Sequence, residues 1–328
     1  MMHPRTYLDW NASAPLRPEA RAAMLGAMDQ IGNPSSVHQE GRAVRAITET
    51  ARAQVAALIG CDPSAIIFTS GATEAAAMAL SNRNVMAWPC DHDAVTAHAG
   101  IDGMQLDANG RAVIPGPGSD LATSPAEIAA LSHASGETGV MQPVEDLLAF
   151  AASCQPRLRT LCDISQTLGR VALDFDGTPL ATSGLDLSIC SAHKLGGPKG
   201  VGALVLLGDY RPPALLRGGG QESGLRSGTE NTIGIAGFGA TAEAARRELE
   251  DGTWERVAHL RDLMEERLES AAPDLIFMGK TAPRLPNTSC FALPGWTGET
   301  QVMQMDLGGF AVSAGSACSS GKVRKASP

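Results

Sequence analysis

The sequence predicts an α/β protein whose central sheet is mainly parallel and is flanked by helices. Five short apolar runs are each bounded by small or polar residues, and helical patterns alternate with them. Alternating strands and helices form a parallel sheet that is covered on both faces. Ligands of such sheets bind at the carboxyl ends of the strands. The predicted strands are 65–69, 128–131, 158–164, 185–190 and 201–207.

The helical patterns differ in length. In 37–59, apolar residues recur on one helical face, among them Val44, Ala51 and Val55. The segment 241–271 also has a helical pattern, which we expect to break around Gly252. The other predicted helices are 18–30 and 75–80.

Composition excludes several classes of protein. The chain has 328 residues, 44% of them apolar, which is enough for a large core and more than one domain. Its net charge of -9 argues against a nucleic-acid-binding surface, which would be basic. No run approaches the ~18 apolar residues of a membrane span, and the first ten residues contain no apolar signal core. We therefore expect a cytoplasmic protein that does not associate with membranes.

The seven cysteines form an odd set without a C-x-x-C pair. In a chain of this length, that pattern is typical of reduced thiols rather than of a disulfide framework or a zinc site. We therefore predict no metal site.

The first chemically informative turn is 70–74 (SGATE), which joins a predicted strand to a helix. Free N–H groups and the helix dipole favour an anion such as phosphate at this position, and Thr73 adds a hydroxyl donor. The alternative is an ordinary helix cap without a ligand.

Two further turns carry Asp163 and Lys194. A carboxylate after a strand either caps a loop or pairs with a protonated ring nitrogen, and Gln166 could reach a neighbouring ring oxygen. Lys194 lies between an apolar strand and a Gly-Pro turn, where partial burial would suit Schiff-base formation. Ser191 and His193 could donate to a phosphate.

Together these motifs resemble the cysteine desulfurases, a family of fold-type-I enzymes that use pyridoxal 5′-phosphate (PLP). The resemblance covers the chain from Tyr7 to its last residues. Its segments are 7–12, 32–38, 70–74, Asp163-x-x-Gln166, Ser191-x-His193-Lys194, 226–231 and 313–321.

The resemblance implies a role for each matching residue. Lys194 would carry PLP and move protons, Asp163 would pair with the pyridine nitrogen, and Gln166 would bond the phenolic oxygen. His92 would stack on the ring, and Cys318, in a small-residue loop that suits a mobile nucleophile, would take sulfur from L-cysteine. The phosphate would be bound by Gly71, Ala72, Thr73, Ser191, His193 and, from the other subunit of a homodimer, Thr229.

The products implied are L-alanine and a persulfide that passes to a sulfur-acceptor or scaffold protein, for example in iron–sulfur cluster assembly. We expect a large PLP-binding domain at 14–240. A smaller α+β domain would comprise 1–13 and 241–328, without its usual C-terminal part and the arginine for the substrate carboxylate. A second departure is Gly136, where the family has an asparagine that bonds the phenolic oxygen.

Three alternatives stay open at this point. The chain could be a related lyase that acts on selenocysteine, which has less need of the cysteine loop. It could be a PLP-binding homologue with impaired catalysis, a hypothesis motivated by Gly136 and the missing arginine. It could also be a plain α/β domain, although that hypothesis does not explain why the motifs occur together.

Overall fold

The computed structural model describes residues 5–175 and 178–315. The helices in these ranges are α1 (Pro18–Met28), α2 (Gln39–Ile59), α3 (Ala72–Leu80), α4 (Asp93–Thr96), α5 (Val144–Ser153), α6 (Thr232–Glu250), α7 (Thr253–Ala271) and α8 (Gly298–Leu307). The strands are β1 (Thr6–Tyr7), β2 (Ile66–Thr69), β3 (Val85–Ala87), β4 (Ala99–Ile101), β5 (Gln105–Leu106), β6 (Ala112–Val113), β7 (Ile128–Ser132), β8 (Arg159–Asp163), β9 (Asp174–Phe175), β10 (Thr178–Pro179), β11 (Leu187–Ser191), β12 (Gly202–Leu206), β13 (Ile276–Phe277), β14 (Phe291–Ala292) and β15 (Phe310–Ala311).

Seven of these strands form the central sheet, in the order β2-β12-β11-β8-β7-β3-β4. The neighbours from β11 to β4 are all parallel. Strand β12 runs antiparallel to both β11 and β2. This architecture confirms the predicted fold class and all five predicted strands. The direction of β12 was not predicted, because an apolar run carries no information on its orientation.

The sheet is buried on both faces, as a mainly parallel sheet must be. Side chains of one strand alternate between the faces, so Ile66 and Phe68 contribute to one apolar cluster and Ile67 to the other. Helices α2, α5 and α6 cover the first face, and α3 covers the second. Each fully buried aliphatic side chain contributes roughly 1.5–3 kcal/mol to folding.

The helical prediction needs one correction, at the start of α6. The structure begins this helix at Thr232 instead of 241, and Asn231 caps it because its side-chain oxygen accepts a hydrogen bond from the N–H of Gly234 at 3.1 Å. The expected break is confirmed at Gly252, whose φ of +76° suits a residue without a Cβ.

Outside the central sheet, β1 pairs in parallel with β15. The first residues of the chain therefore join its C-terminal part. This pairing supports the division into a large domain at 14–240 and a small one, which stays a prediction. None of the helices in the described ranges is both long and apolar enough to cross a membrane.

Candidate active site

The ends of four neighbouring strands bring the sequence motifs to one edge of the sheet. Gly202, the first residue of β12, lies opposite Ser191 on one side and Thr69 on the other. Asp163 at the end of β8 lies beside Ile189 of β11. The turns after these strands therefore open onto a common region.

Lys194 closes a short 3₁₀ turn, Ala192–Lys194, directly after β11. The residue is only 6% exposed. Its Nζ donates a hydrogen bond to the backbone carbonyl oxygen of Asn11. The side-chain Nε2 of Gln166 donates to the same oxygen at 3.1 Å. Two predicted cofactor-binding donors thus converge on a single acceptor atom.

Asp163 is buried beside a second carboxylate, Asp91. Oδ1 of Asp163 accepts the N–H of Ser165 at 2.8 Å. Asp91 accepts N–H groups of Trp88 and Ser132. Burial, together with the nearby charge of Asp163, raises the pKa of Asp91 to about 7. The region around Asp163 is therefore negative, which favours a cationic partner.

The turn before α3 offers N–H groups to an anion. Its N-cap residue, Gly71, has no side chain with which to cap the first helical turn, so these N–H groups are available to a ligand. A Cβ at Gly71 would lie 3.9 Å from Oγ of Ser191, which places that hydroxyl beside the turn. Thr73 is exposed in the same turn. Arg226 reaches the helix from another loop, because its Nε lies 2.9 Å from Oε1 of Glu74.

Two histidines lie near this region. Nδ1 of His92 accepts the N–H of Ala94 at 3.0 Å and so caps α4. His193 has Nδ1 3.3 Å from Oγ of Ser13. Burial, together with the charges of Lys194, Lys199 and His92, lowers the pKa of His193 to about 4. His193 is therefore neutral near pH 7, when only one of its two ring nitrogens carries a hydrogen that it can donate.

The structure does not connect Thr229 to this cluster, and it does not test the position of Cys318. Thr229 is exposed, and no hydrogen bond or ion pair between described residues joins it to the cluster. Cys318 lies outside the described residues. At Gly315, the last described residue, a Cβ would lie 3.4 Å from Oε1 of Glu137, which directly follows Gly136.

The other six cysteines, all in the described ranges, share one electrostatic property. Burial raises the pKa of every one of these thiols, to about 12 for Cys61 and to about 11 for Cys290. None of the six is therefore a thiolate near neutral pH, and a thiol that is not ionised is a poor nucleophile.

Two residues of the site were missed at the level of sequence. Asn11 lies in the opening segment that carried part of the resemblance, but no role was predicted for it, although its backbone oxygen accepts from both Lys194 and Gln166. Arg170 was not singled out at all, yet its guanidinium donates to Gln166 and to the backbone oxygen of Lys194. Its one sequence signal is that it lies four residues after Gln166.

The fold and this site are those of a fold-type-I PLP enzyme. Comparison with known proteins identifies the family within that class. The profile of the aminotransferase class-V family matches residues 6–327. A cysteine desulfurase of Cereibacter sphaeroides is 38% identical over 97% of this chain and 84% of its own length. One from Frankia sp. (strain EuIK1) is 40% identical over 96% and 80%. A NifS-like protein of Rickettsia africae has a solved structure that superimposes with a TM-score of 0.87, at 28% identity over 96% of this chain and 88% of its own.

The chain therefore belongs to the aminotransferase class-V family and, within it, to the cysteine desulfurases. The family resemblance predicted from the motifs is confirmed. Enzymes of this family depend on PLP.

The residues present fit that cofactor. A buried amine, a buried carboxylate and an uncapped helix N-terminus match the aldehyde, the ring nitrogen and the phosphate of PLP. Oγ of Ser165, between Asp163 and Gln166, is buried without a hydrogen-bond partner among the described residues, and so offers one more polar group at this site. Lys194, Asp163 and Gln166 would hold the reactive half of the cofactor, and the turn at Gly71 would hold its phosphate.

Proposed function

We propose that this chain is a PLP-dependent cysteine desulfurase that converts L-cysteine to L-alanine and leaves the sulfur as a persulfide on Cys318. The observation that carries the proposal is the convergence of Lys194 and Gln166 on one oxygen atom, beside the buried carboxylate of Asp163. The names of the related enzymes favour this activity over a selenocysteine lyase.

PLP supplies an electron-withdrawing ring that makes bonds at the substrate's α- and β-carbons labile. Asp163 keeps the ring nitrogen protonated because a buried carboxylate stabilises a neighbouring positive charge. Gln166 would donate to the phenolic oxygen. The amine of Lys194 would anchor the cofactor and carry the proton at the substrate's α-carbon. His92 would stack on the ring and exclude water from it.

The phosphate is held at the α3 N-terminus by the N–H groups of Ala72 and Thr73, the hydroxyls of Thr73 and Ser191, and His193. Because His193 is neutral, the helix dipole and the N–H donors supply most of the attraction. In a homodimer, the exposed Thr229 of each subunit would add a hydroxyl to the partner's phosphate site.

The sulfur step needs a thiolate that can reach the substrate. The thiolate of Cys318 attacks the substrate's sulfur, the carbon–sulfur bond breaks, and the β-carbon takes up a proton, which yields alanine and a persulfide with no external oxidant. From Cys318 the sulfur would pass to an acceptor or scaffold protein, as iron–sulfur cluster assembly requires.

The proposal is tested with the variant Cys318→Ala and, as a matched control, Cys290→Ala. The PLP-loaded proteins are given L-cysteine, alanine is quantified, and the persulfide is located by mass spectrometry of alkylated peptides. We expect the wild type and the Cys290 variant to form alanine and to carry the extra sulfur at Cys318. Undiminished alanine formation in Cys318→Ala would contradict the role of this residue.

A further inference from the structure

Arg170 is a buried cation that the proposed chemistry leaves unexplained. It is only 3% exposed. Its Nη1 donates to Oε1 of Gln166 at 2.7 Å and to Oδ1 of Asn11 at 3.2 Å, and its Nη2 donates to the backbone oxygen of Lys194 at 2.8 Å. All of these acceptors are neutral. Among the described residues, no carboxylate lies within ion-pair distance of Arg170, whereas buried charges are generally paired.

The charges around Arg170 increase the cost of keeping it protonated. Arg17 lies nearby but is itself paired with Glu248, at 2.7 Å between Nη2 and Oε2. Arg170 also contacts the backbone oxygen of Lys194. Burial, together with the nearby charge of Arg17, lowers the pKa of Arg170 to about 10. Arg170 therefore remains a cation near pH 7 and maintains a positive potential inside the site.

Gly169, the residue before Arg170, allows the tight turn that buries the arginine side chain. Gly169 has a φ of +68°, and a Cβ there would lie 2.5 Å from Cδ1 of Leu195 and 2.8 Å from Cβ of Ala245. No other residue type would fit without displacing its neighbours. The tight turn that follows Gln166 therefore keeps Arg170 within hydrogen-bond distance of Gln166 and Lys194.

The contact with Gln166 fixes which way its amide points. Because Arg170 can only donate, it takes the amide oxygen, and Nε2 is left to point toward the oxygen that Lys194 also contacts. Gly136 leaves this donor unobstructed, since a Cβ there would lie only 3.3 Å from Nε2. The donor is thus oriented before any ligand arrives.

We propose that Arg170 is a positioning residue that orients the Gln166 amide and the Lys194 turn, and whose positive charge would act on the phenolic oxygen of PLP that Gln166 would bind. This inference rests on the proposed PLP-dependent function. A positive charge there stabilises the anionic phenolic oxygen and disfavours a proton on the nitrogen that joins Lys194 to PLP. Removing the charge should therefore raise the pH at which that nitrogen deprotonates, by about one pH unit for a charge a few ångströms away.

The experiment is a pH titration of the visible absorption band of the PLP-loaded protein. The variants are Arg170→Met, which removes the charge, and Arg170→Lys, which keeps it but cannot bridge Gln166 and Lys194. Arg284→Met is the matched control, because Arg284 has a side chain that is only 5% exposed, is paired with Glu265 at 2.8 Å and is absent from the network around Lys194. The rate of PLP release into a trapping enzyme is measured in parallel.

We expect the midpoint of this pH titration to rise by about one pH unit in Arg170→Met. It should stay at the wild-type value in Arg170→Lys and Arg284→Met. PLP release should accelerate in both Arg170 variants and not in the control. An unchanged midpoint in a folded Arg170→Met protein overturns this inference and leaves the proposed function intact. Should that variant not fold, a midpoint raised by a full unit in Arg170→Lys, where the charge is retained, overturns it instead. A wild-type protein that forms no band with PLP overturns the proposed function itself, and this inference with it.

Discussion

The two halves of the candidate site are built differently. Around Lys194, the side chains of Gln166 and Arg170 and the backbone of Asn11 form a connected and largely buried hydrogen-bond network. At the phosphate end, the turn at Gly71 has no capping side chain and Thr73 is exposed. The half around Lys194 is held by hydrogen bonds within the protein, whereas the turn at Gly71 leaves its N–H donors open to solvent.

This difference indicates a division of labour. Groups that tune the reactive end of PLP must be held in fixed geometry, since small displacements reduce catalysis strongly. Groups that bind a phosphate can stay solvated until the anion arrives, because water satisfies them at little cost. Changes in the buried half should therefore have larger effects than changes at the open end.

The largest effect is expected from Asp163→Asn. Breaking one side of a buried charge pair costs about 3–5 kcal/mol, so the affinity for PLP should fall at least about a hundredfold. The variant without PLP should not lose free energy of unfolding, because the repulsion between the carboxylates of Asp163 and Asp91 is relieved. Equilibrium PLP binding and chemical unfolding measure the two quantities. Asp186→Asn is the control: this buried carboxylate forms an ion pair with Arg157 at 3.1 Å, so loss of its charge should reduce stability and leave PLP affinity unchanged.

The second effect is on acid stability and comes from His133, whose Nδ1 lies 3.1 Å from Oγ1 of Thr167. Burial lowers its pKa to about 4, against about 6.5 in an unfolded chain. Between these values the unfolded chain binds the proton and the native protein does not, so stability falls as the pH drops from about 6.5 to about 4. Over this pH range the free energy of unfolding should fall by about 3 kcal/mol.

His133→Gln should therefore lose less free energy of unfolding than the wild type when the pH is lowered from 7 to 4.5. Chemical denaturation at both values measures this difference. The exposed His259 is the matched position, and His259→Gln should behave like the wild type. Equal pH dependence in the two variants would argue against a buried, neutral His133.

A smaller effect is expected from Gly136→Ala. The added Cβ, 3.3 Å from Nε2 of Gln166, forces the amide to shift at a cost of about 1 kcal/mol. PLP affinity should then fall about fivefold. Gly116→Ala is the control, since a Cβ at Gly116 would meet nothing within 4 Å. Wild-type affinity in Gly136→Ala would mean that the Gln166 donor is not held where the cofactor needs it.

The smallest effect is expected from Thr73→Val at the open end. Its hydroxyl is exposed, so water competes for the bond, and PLP affinity should fall only about threefold. Binding of pyridoxal, which lacks the phosphate, serves as the internal control and should not change. A loss as large as that of Asp163→Asn would reverse the proposed ranking of the two halves.

The sequence predicted the parts of the site that depend on strand ends. Lys194 and Asp163 each follow an apolar strand, and parallel strands bring such turns together regardless of their separation along the chain. The helix break at Gly252 was predicted for a similarly local reason. These features are encoded in segments of a few residues.

Arg170 and Asn11 could not be predicted in this way. Their contact joins residues 159 positions apart, and neither lies in a pattern that indicates burial. An arginine in a turn is expected to be exposed, and only the packing of the turn at Gly169 against Leu195 and Ala245 shows otherwise. The departure at Gly136 was predicted, but its structural context, an oriented Gln166 amide, became visible only in three dimensions.

The most direct test of the account is the visible absorption spectrum of the protein reconstituted with PLP, recorded before and after addition of L-cysteine. Wild type and Lys194→Ala are compared, with Lys199→Ala as the control because Lys199 is an exposed lysine five residues away. The account predicts a visible band in the wild type and the control, no such band in Lys194→Ala, and a change of the band when L-cysteine is added. A band that persists in Lys194→Ala, or one that does not respond to L-cysteine, would contradict it.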